Sequence, residues 1–173
     1  MIHLLIDGYN LMYVVDPGLL RSLEDKRNSL LEKLHQYQQT KQVEITVVFD
    51  GSERSSFPSR DRYGNLLLIF TCEDETADDW IEKECERSAG KYLVVSNDNQ
   101  VIRSAERSRS VSISSSEFSK RLEQATRTLQ NPEYFEEKDD SGPLYPRVNT
   151  KKRGVSKKAP KRDRKKNQSL KNL

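Results

Sequence analysis

The chain is predicted to fold as an α/β protein: a parallel sheet with helices on both faces, followed by a disordered basic tail. Three observations predict it. Short apolar, often β-branched runs alternate with segments of helical periodicity, the pattern of βαβ units. Acidic residues stand just beyond several of those runs, where open parallel sheets place their ligand sites. Charge is split along the chain, an acidic body preceding a basic end.

The elements follow in order. Residues 2–6 form a buried strand that ends on Asp7-Gly8-Tyr9-Asn10. Residues 23–41 carry apolar side chains at 23, 30, 31, 34 and 37, a helical spacing, with Ser22 as cap. Val43–Phe49 is β-branched and reads as a strand ending on Asp50. Residues 51–65 are polar and read as a long loop, closed by the turn signal Tyr63-Gly64-Asn65. Leu66–Phe70 is the next strand. Thr76 then caps a helix with Ala77, Trp80, Ile81, Cys85 and Ala89 on one stripe, Asp79 at the capping-box position and Gly90 as terminator. Residues 92–96 are a strand leading to Asp98, residues 100–108 a short helix, and residues 111–114 a last, Ser-rich strand. Ser116 caps a final helix with Phe118, Leu122, Ala125 and Leu129 inward.

The organisation beyond the sheet is set by composition. Residues 1–130 make the folded body. Residues 131–150, with three prolines and one glycine, make a linker that straps back through Tyr134, Phe135, Leu144 and Tyr145. Residues 151–173 hold 11 Lys and Arg against one acid, Asp163, a net of +10. The chain's 30 basic and 27 acidic residues then leave 19 and 26 for residues 1–150, a net of −7. A tail of that charge repels itself, buries no core and suits a polyanion, nucleic acid first. Lys151, Lys152 and Arg153 begin it. No aromatic residue is interleaved, so phosphate contact rather than base stacking is expected.

Several function classes are set aside. Cys72 and Cys85 have no metal-ligand spacing and make no disulfide framework, which suits a reducing, cytoplasmic setting. No run is long and apolar enough to span a membrane, and the first strand reads as no signal peptide. There is no Gly-x-Ser-x-Gly elbow, no phosphate-binding Walker loop and no Asp-x-Asp after the first strand. His3 and His35 sit inside a strand and a helix, away from strand ends.

What remains is carboxylate chemistry. Asp7, Asp50, Asp78, Asp79 and Asp98 gather at one edge if the runs are parallel strands. Such a cluster repels itself unless a cation neutralises it. Hard divalent ions prefer oxygen ligands, so Mg²⁺ or Mn²⁺ activating water at a phosphodiester is the expected chemistry. Each acid also has a plainer reading: Asp7-Gly8 and Asp50-Gly51 as turns, Asp79 as a capping-box member, Asp98 as a helix cap. Asn10 either orients a phosphate or metal-bound water, bonds across to a neighbouring strand end, or caps a helix. Glu82, one turn after Asp78, reads as solvated rather than supporting. Arg54, Arg60 and Arg62 are the candidates to grip flanking phosphates, against a plain solvated loop.

In sequence order, Leu4-Leu5-Ile6-Asp7-Gly8-Tyr9-Asn10-Leu11, Val47-Val48-Phe49-Asp50-Gly51, Glu75-Thr76-Ala77-Asp78-Asp79-Trp80-Ile81-Glu82, Val94-Val95-Ser96-Asn97-Asp98 and Ser116-Glu117-Phe118 resemble NYN domains. The resemblance is greatest to the YacP-like branch, small endoribonucleases of the PIN-like nuclease group, over about residues 1–130. It implies a PIN-like, Rossmann-like fold and a Mg²⁺- or Mn²⁺-dependent endoribonuclease acting on mRNA at the ribosome. By motif match, Asp7, Asp78 and Asp98 are the metal-binding acids, Asp50 and Asp79 supporting members of the pocket, and Asn10 a polar one. Asn97 departs from the pattern, standing where a small hydroxyl residue is commoner. The basic tail reads as an addition to it. Two rival readings stay open: a non-catalytic RNA- or ribosome-binding module, and another phosphate-ester hydrolase or DNA nuclease on the same sheet.

Overall fold

The computed structural model describes residues 1–51 and 56–130. They form a six-stranded mixed sheet with helices on both faces. The elements run β1 (Ile2–Asp7), α1 (Gly8–Val15), α2 (Leu23–Thr40), β2 (Val43–Phe49), β3 (Ser59–Tyr63), β4 (Leu66–Phe70), α3 (Ala77–Arg87), β5 (Tyr92–Val95), α4 (Asn99–Arg107), β6 (Val111–Ile113) and α5 (Ser115–Gln130). The strand order is β3-β4-β2-β1-β5-β6, parallel except for β3.

Period-two alternation sorts each strand between two cores. Leu4, Ile6, Val47 and Phe49 face α1, α2 and α5 through Leu11, Met12, Leu34, Tyr37 and Phe118. Leu5, Val48, Ile69 and Val94 face α3 and α4 through Ile81, Cys85, Val101 and Ala105. β1 is the centre. The chain builds outward on one side through β2 and β4, then α3 carries it to β5 on the other side. The switch point therefore lies between β1 and its neighbours, at the end of β1, where Asp7 stands.

Three elements differ from the sequence reading. The expected loop 51–65 contains β3, an antiparallel edge strand registered with Ser59 opposite Phe70 and Tyr63 opposite Leu66. Its residues are exposed except for half-buried Tyr63, so no apolar alternation announces it. Gly64 makes the turn at φ +58, where L side chains are strained. Second, α1 starts directly at Gly8, capped by Asp7, in a stretch that the sequence reading left unassigned. Its short sequence is too uniformly apolar to show a period. Third, Ser114 rather than Ser116 caps α5, its Oγ accepting from the Glu117 N–H at 3.1 Å. The caps Ser22 and Thr76, and the Thr76–Asp79 capping box, are as expected. Cys85 is buried and Cys72 half-buried, both as thiols. Among the described residues no helix is long and apolar enough to cross a membrane.

Candidate active site

The strand ends and helix starts meet at the carboxyl edge of the sheet. Register puts Ile6 beside Val47 and Val95. Asp7 therefore ends β1 between the end of β2, where Asp50 follows, and Ser96, one residue past β5.

Each acid is positioned by the local fold. Asp7 caps α1, one oxygen accepting from the Asn10 N–H at 3.1 Å. Its other oxygen accepts from Ser96 Oγ at 3.0 Å. Ser96 is fully buried, and the same hydroxyl accepts from the Asp98 N–H at 3.0 Å. One serine thus ties two acids together. Asp98 caps α4, Oδ1 accepting from the N–H groups of Gln100 (2.6 Å) and Val101 (3.3 Å). Asp50 Oδ1 accepts from the Ala77 N–H at 2.7 Å, which fixes the first turn of α3 and so the next residue, Asp78. Three helix N-termini point at the group, and their partial positive charges offset part of its repulsion.

That offset is incomplete. Burial pushes the Asp78 carboxyl from 3.8 up to about 6, assisted by the charges of Asp7, Asp98, Asp50 and Glu82. Asp7 is also raised, by burial first, with the charges of Asp50 and Asp98 adding to it. The mutual influence shows that Asp7, Asp50, Asp78 and Asp98 share one neighbourhood. Asp79 does not join them. Its carboxylate accepts from the Thr76 N–H at 3.3 Å, closing the capping box, and those bonds hold its pKa low. It faces solvent and Lys83 rather than the pocket.

Asn10 is a brace. Its side-chain oxygen accepts from the Asn97 N–H at 3.0 Å and from Ser115 Oγ at 2.7 Å, joining β1–α1 to the β5–α4 and β6–α5 corners. Asn97 contributes its backbone N–H and is itself exposed. On the β2 side, Thr71 Oγ1 accepts from the Gly51 N–H at 3.0 Å. A Cβ at Gly51 would lie 1.9 Å from the Thr71 carbonyl oxygen, so glycine is required there.

Of the candidate phosphate-binding arginines, Arg60 pairs opposite Ile69 near the site's edge and Arg62 opposite Leu67, two residues deeper. Both are exposed. Arg54, Lys151, Lys152 and Arg153 lie outside the described residues, as do the linker and tail. Ser96, Ser115 and Thr71 were missed by the sequence reading. Only a small hydroxyl at the close of an apolar run marks Ser96 in the sequence. Glu82, expected to be solvated, is half-buried, and its Oε1 is enclosed without a hydrogen-bond partner.

The donor set fits a hydrated hard cation better than a closed cage. Among the described residues no three His, Cys, Asp or Glu side chains form a ready-made metal cluster. Mg²⁺ does not need one, since it keeps several waters and takes one or two carboxylates. The Asp78 carboxylate takes no hydrogen bond from the described residues, the enclosed Glu82 oxygen is unpartnered, and all the donors are oxygen.

Comparison with known proteins gives a consistent result. The family model described as YacP-like NYN domain matches residues 4–173. The match extends to the last residue, so the basic segment read as an addition to the family pattern lies inside the matched span. The uncharacterized protein YacP of Bacillus subtilis (strain 168) is 37% identical over 84 residues, 46% of this chain. The match spans about half (49%) of that relative's length. The crystal structure of Rae1 (YacP) from Bacillus subtilis aligns with a TM-score of 0.62 and 26% identity, covering 76% of this chain and 79% of that one. A single-substitution variant of the same protein aligns with a TM-score of 0.63 and 26% identity, covering 75% and 80%.

Proposed function

The chain belongs to the YacP-like NYN domain family, a nuclease-type family, and on that premise we propose that it is a metal-dependent endoribonuclease that hydrolyses RNA phosphodiester bonds. The observation that carries the proposal is the convergence of Asp7, Asp50, Asp78 and Asp98 at the switch point of the sheet, with Asp78 unneutralised by any protein donor described. Asp7, Asp78 and Asp98 are the residues to hold Mg²⁺ or Mn²⁺. Such an ion, when bound, supplies Lewis acidity at the phosphorus and an acidified water.

The protein's own residues do the rest. Ser96 fixes the spacing of Asp7 and Asp98 through one hydroxyl. Asp50 sets the start of α3 and so the position of Asp78. Asn10 locks the three corners that carry them. Arg60 stands near the edge to meet a flanking phosphate, and the tail beginning Lys151, Lys152, Arg153 recruits RNA by charge. We place the activity in the cytoplasm, on mRNA carried by translating ribosomes.

The test is direct. Purified protein and its Asp78→Asn variant are incubated with labelled single-stranded RNA and with translating ribosomes, with Mn²⁺ or with chelator. Cleavage by the wild type alone, abolished by chelator, is expected. Equal cleavage by the variant would remove Asp78 from the reaction. No cleavage in either format would favour a binding module, and cleavage of DNA or a phosphomonoester instead would favour another phosphate-ester hydrolase.

A further inference from the structure

A cation stands at the carboxyl edge of the sheet on the α2 side, and the sequence pattern did not single it out. Arg27 lies in the second turn of α2, where a positive charge gains nothing from the helix dipole. It is half-buried and forms no ion pair or hydrogen bond among the described residues, whereas Arg21, Lys83, Arg87 and Arg121 each pair with an acid. The ring beneath it offsets part of its desolvation, but the fork of five N–H donors meets no acceptor among the described residues and stays open to an incoming anion.

Its surroundings lead to the acids. The guanidinium carbon lies over the Phe70 ring, 5.7 Å from its centroid. Phe70 stacks on Phe49 with centroids 5.6 Å apart, and Phe49 meets the Tyr9 ring edge-on at 5.2 Å. Phe49 is fully buried, while Phe70 and Tyr9 are half-buried and reach the surface. Every rung belongs to the site's edge: Tyr9 is two residues past Asp7, Phe49 precedes Asp50, and Phe70 precedes Thr71, which holds Gly51. The electrostatics agree, since Tyr9 feels both the positive charge of Arg27 and the negative charge of Asp50.

We propose that Arg27, held over Phe70 at the end of this aromatic ladder, grips the RNA phosphate next to the scissile one on the α2 side of the acidic site, with the Tyr9 ring as the face for the adjoining base. The inference rests on the ribonuclease reading. It assigns a substrate contact to a residue outside the carboxylate set and on the opposite face of the sheet from Arg60 and Arg62. A guanidinium already seated on a ring has lost much of its rotamer freedom, so its fork is pre-organised for two phosphate oxygens. Aromatic faces accept any base, so the subsite adds affinity without fixing sequence.

The experiment compares full-length wild type, Arg27→Gln and Arg27→Lys, with Arg107→Ala at the far end of α4 as control. RNA binding is measured with chelator present across a salt series, and cleavage of a short single-stranded RNA with Mn²⁺. Arg27→Gln is expected to lower the slope of log K against log salt by about 0.7 and to raise KM roughly tenfold with little change in kcat. Arg27→Lys should keep the slope and lose part of the affinity, because it keeps the charge and not the fork. Arg107→Ala should leave both unchanged. Wild-type cleavage with an unchanged slope and KM in Arg27→Gln overturns the inference and leaves the nuclease reading standing. If the wild type cleaves no RNA, that reading fails by itself, and the binding series still decides whether Arg27 touches phosphate. A fall in kcat and melting temperature together, shared by Arg27→Lys, would make Arg27 structural and also overturn it.

Discussion

Asp78 is a stability liability that its own replacement should release. Its carboxyl titrates at about 6 rather than 3.8 because it is half-buried among Asp7, Asp98, Asp50 and Glu82. For an acid whose folded pKa lies above the unfolded one, the folded state holds the extra proton between the two values. Stability therefore falls as pH rises from about 4 to about 6 and stays lower above that. The shift corresponds to roughly 3 kcal/mol, and screening at a half-exposed site reduces that by about half. Replacing the charge with an amide forgoes about 0.3–1 kcal/mol of favourable interaction with the N-terminus of α3. Asp78→Asn should then stabilise the metal-free protein by about 1 kcal/mol at neutral pH, or about 4 °C in Tm for a body of this size. Near pH 4.5 the wild-type group is already mostly protonated, and the gain should shrink to almost nothing. Thermal unfolding followed by circular dichroism in chelator, at both pH values, measures this. Destabilisation at neutral pH, or a gain of equal size at both, would refute the picture of an unneutralised carboxylate. The variant should be more stable and inactive at once, the signature of strain kept for function.

Ser96→Ala removes the hydroxyl that serves Asp7 and Asp98 together; unfolding should cost about 1–3 kcal/mol less, and cleavage should fall because both acids lose their common anchor. Gly51→Ala drives a Cβ into the Thr71 carbonyl; a loss of about 2 kcal/mol or more in chemical denaturation is expected, with a displaced Asp50. Removal of residues 151–173 should weaken RNA or ribosome binding and flatten its salt dependence while sparing cleavage of a short RNA at high concentration; unchanged binding would show the tail to be idle.

The parallel core was legible because its signals are local. β-branched runs such as Val43–Phe49 favour a strand, and the caps Ser22 and Thr76 mark their helices directly. β3 was illegible because an exposed edge strand needs no apolar face and is defined by its pairing with β4. In the site, strand-end position found Asp7, Asp50 and Asp98. The same rule could not separate Asp78 from Asp79. Adjacent residues on a helix start point in different directions; the capping-box pattern already marked Asp79, and the fold shows that this role takes it out of the pocket while Asp78 stays in it. A bond from Asn10 across to a neighbouring strand end was one of its sequence readings, and it is made to the Asn97 N–H; Ser96 acts through a bond spanning 89 residues, which no local pattern encodes. Arg27 is silent in the sequence because its setting is made by Phe70, distant in sequence and adjacent in space.

Electrostatics assigns different work to the tail and to Arg27. Residues 1–150 carry a net −7 and residues 151–173 a net +10, so under the proposed ribonuclease reading RNA would meet repulsion at the acidic edge and attraction from the tail at a distance. That attraction acts through solvent and is screened over about 10 Å at 0.1 M salt. Arg27 acts at contact, half-enclosed against Phe70, where salt screens less. Raising salt should therefore abolish the difference between full-length and tail-truncated protein first, while the difference between wild type and Arg27→Gln in KM persists. If both differences vanished at the same salt concentration, Arg27 would be one more exposed charge in the long-range field, and the seat beside the acids would have no role in holding RNA.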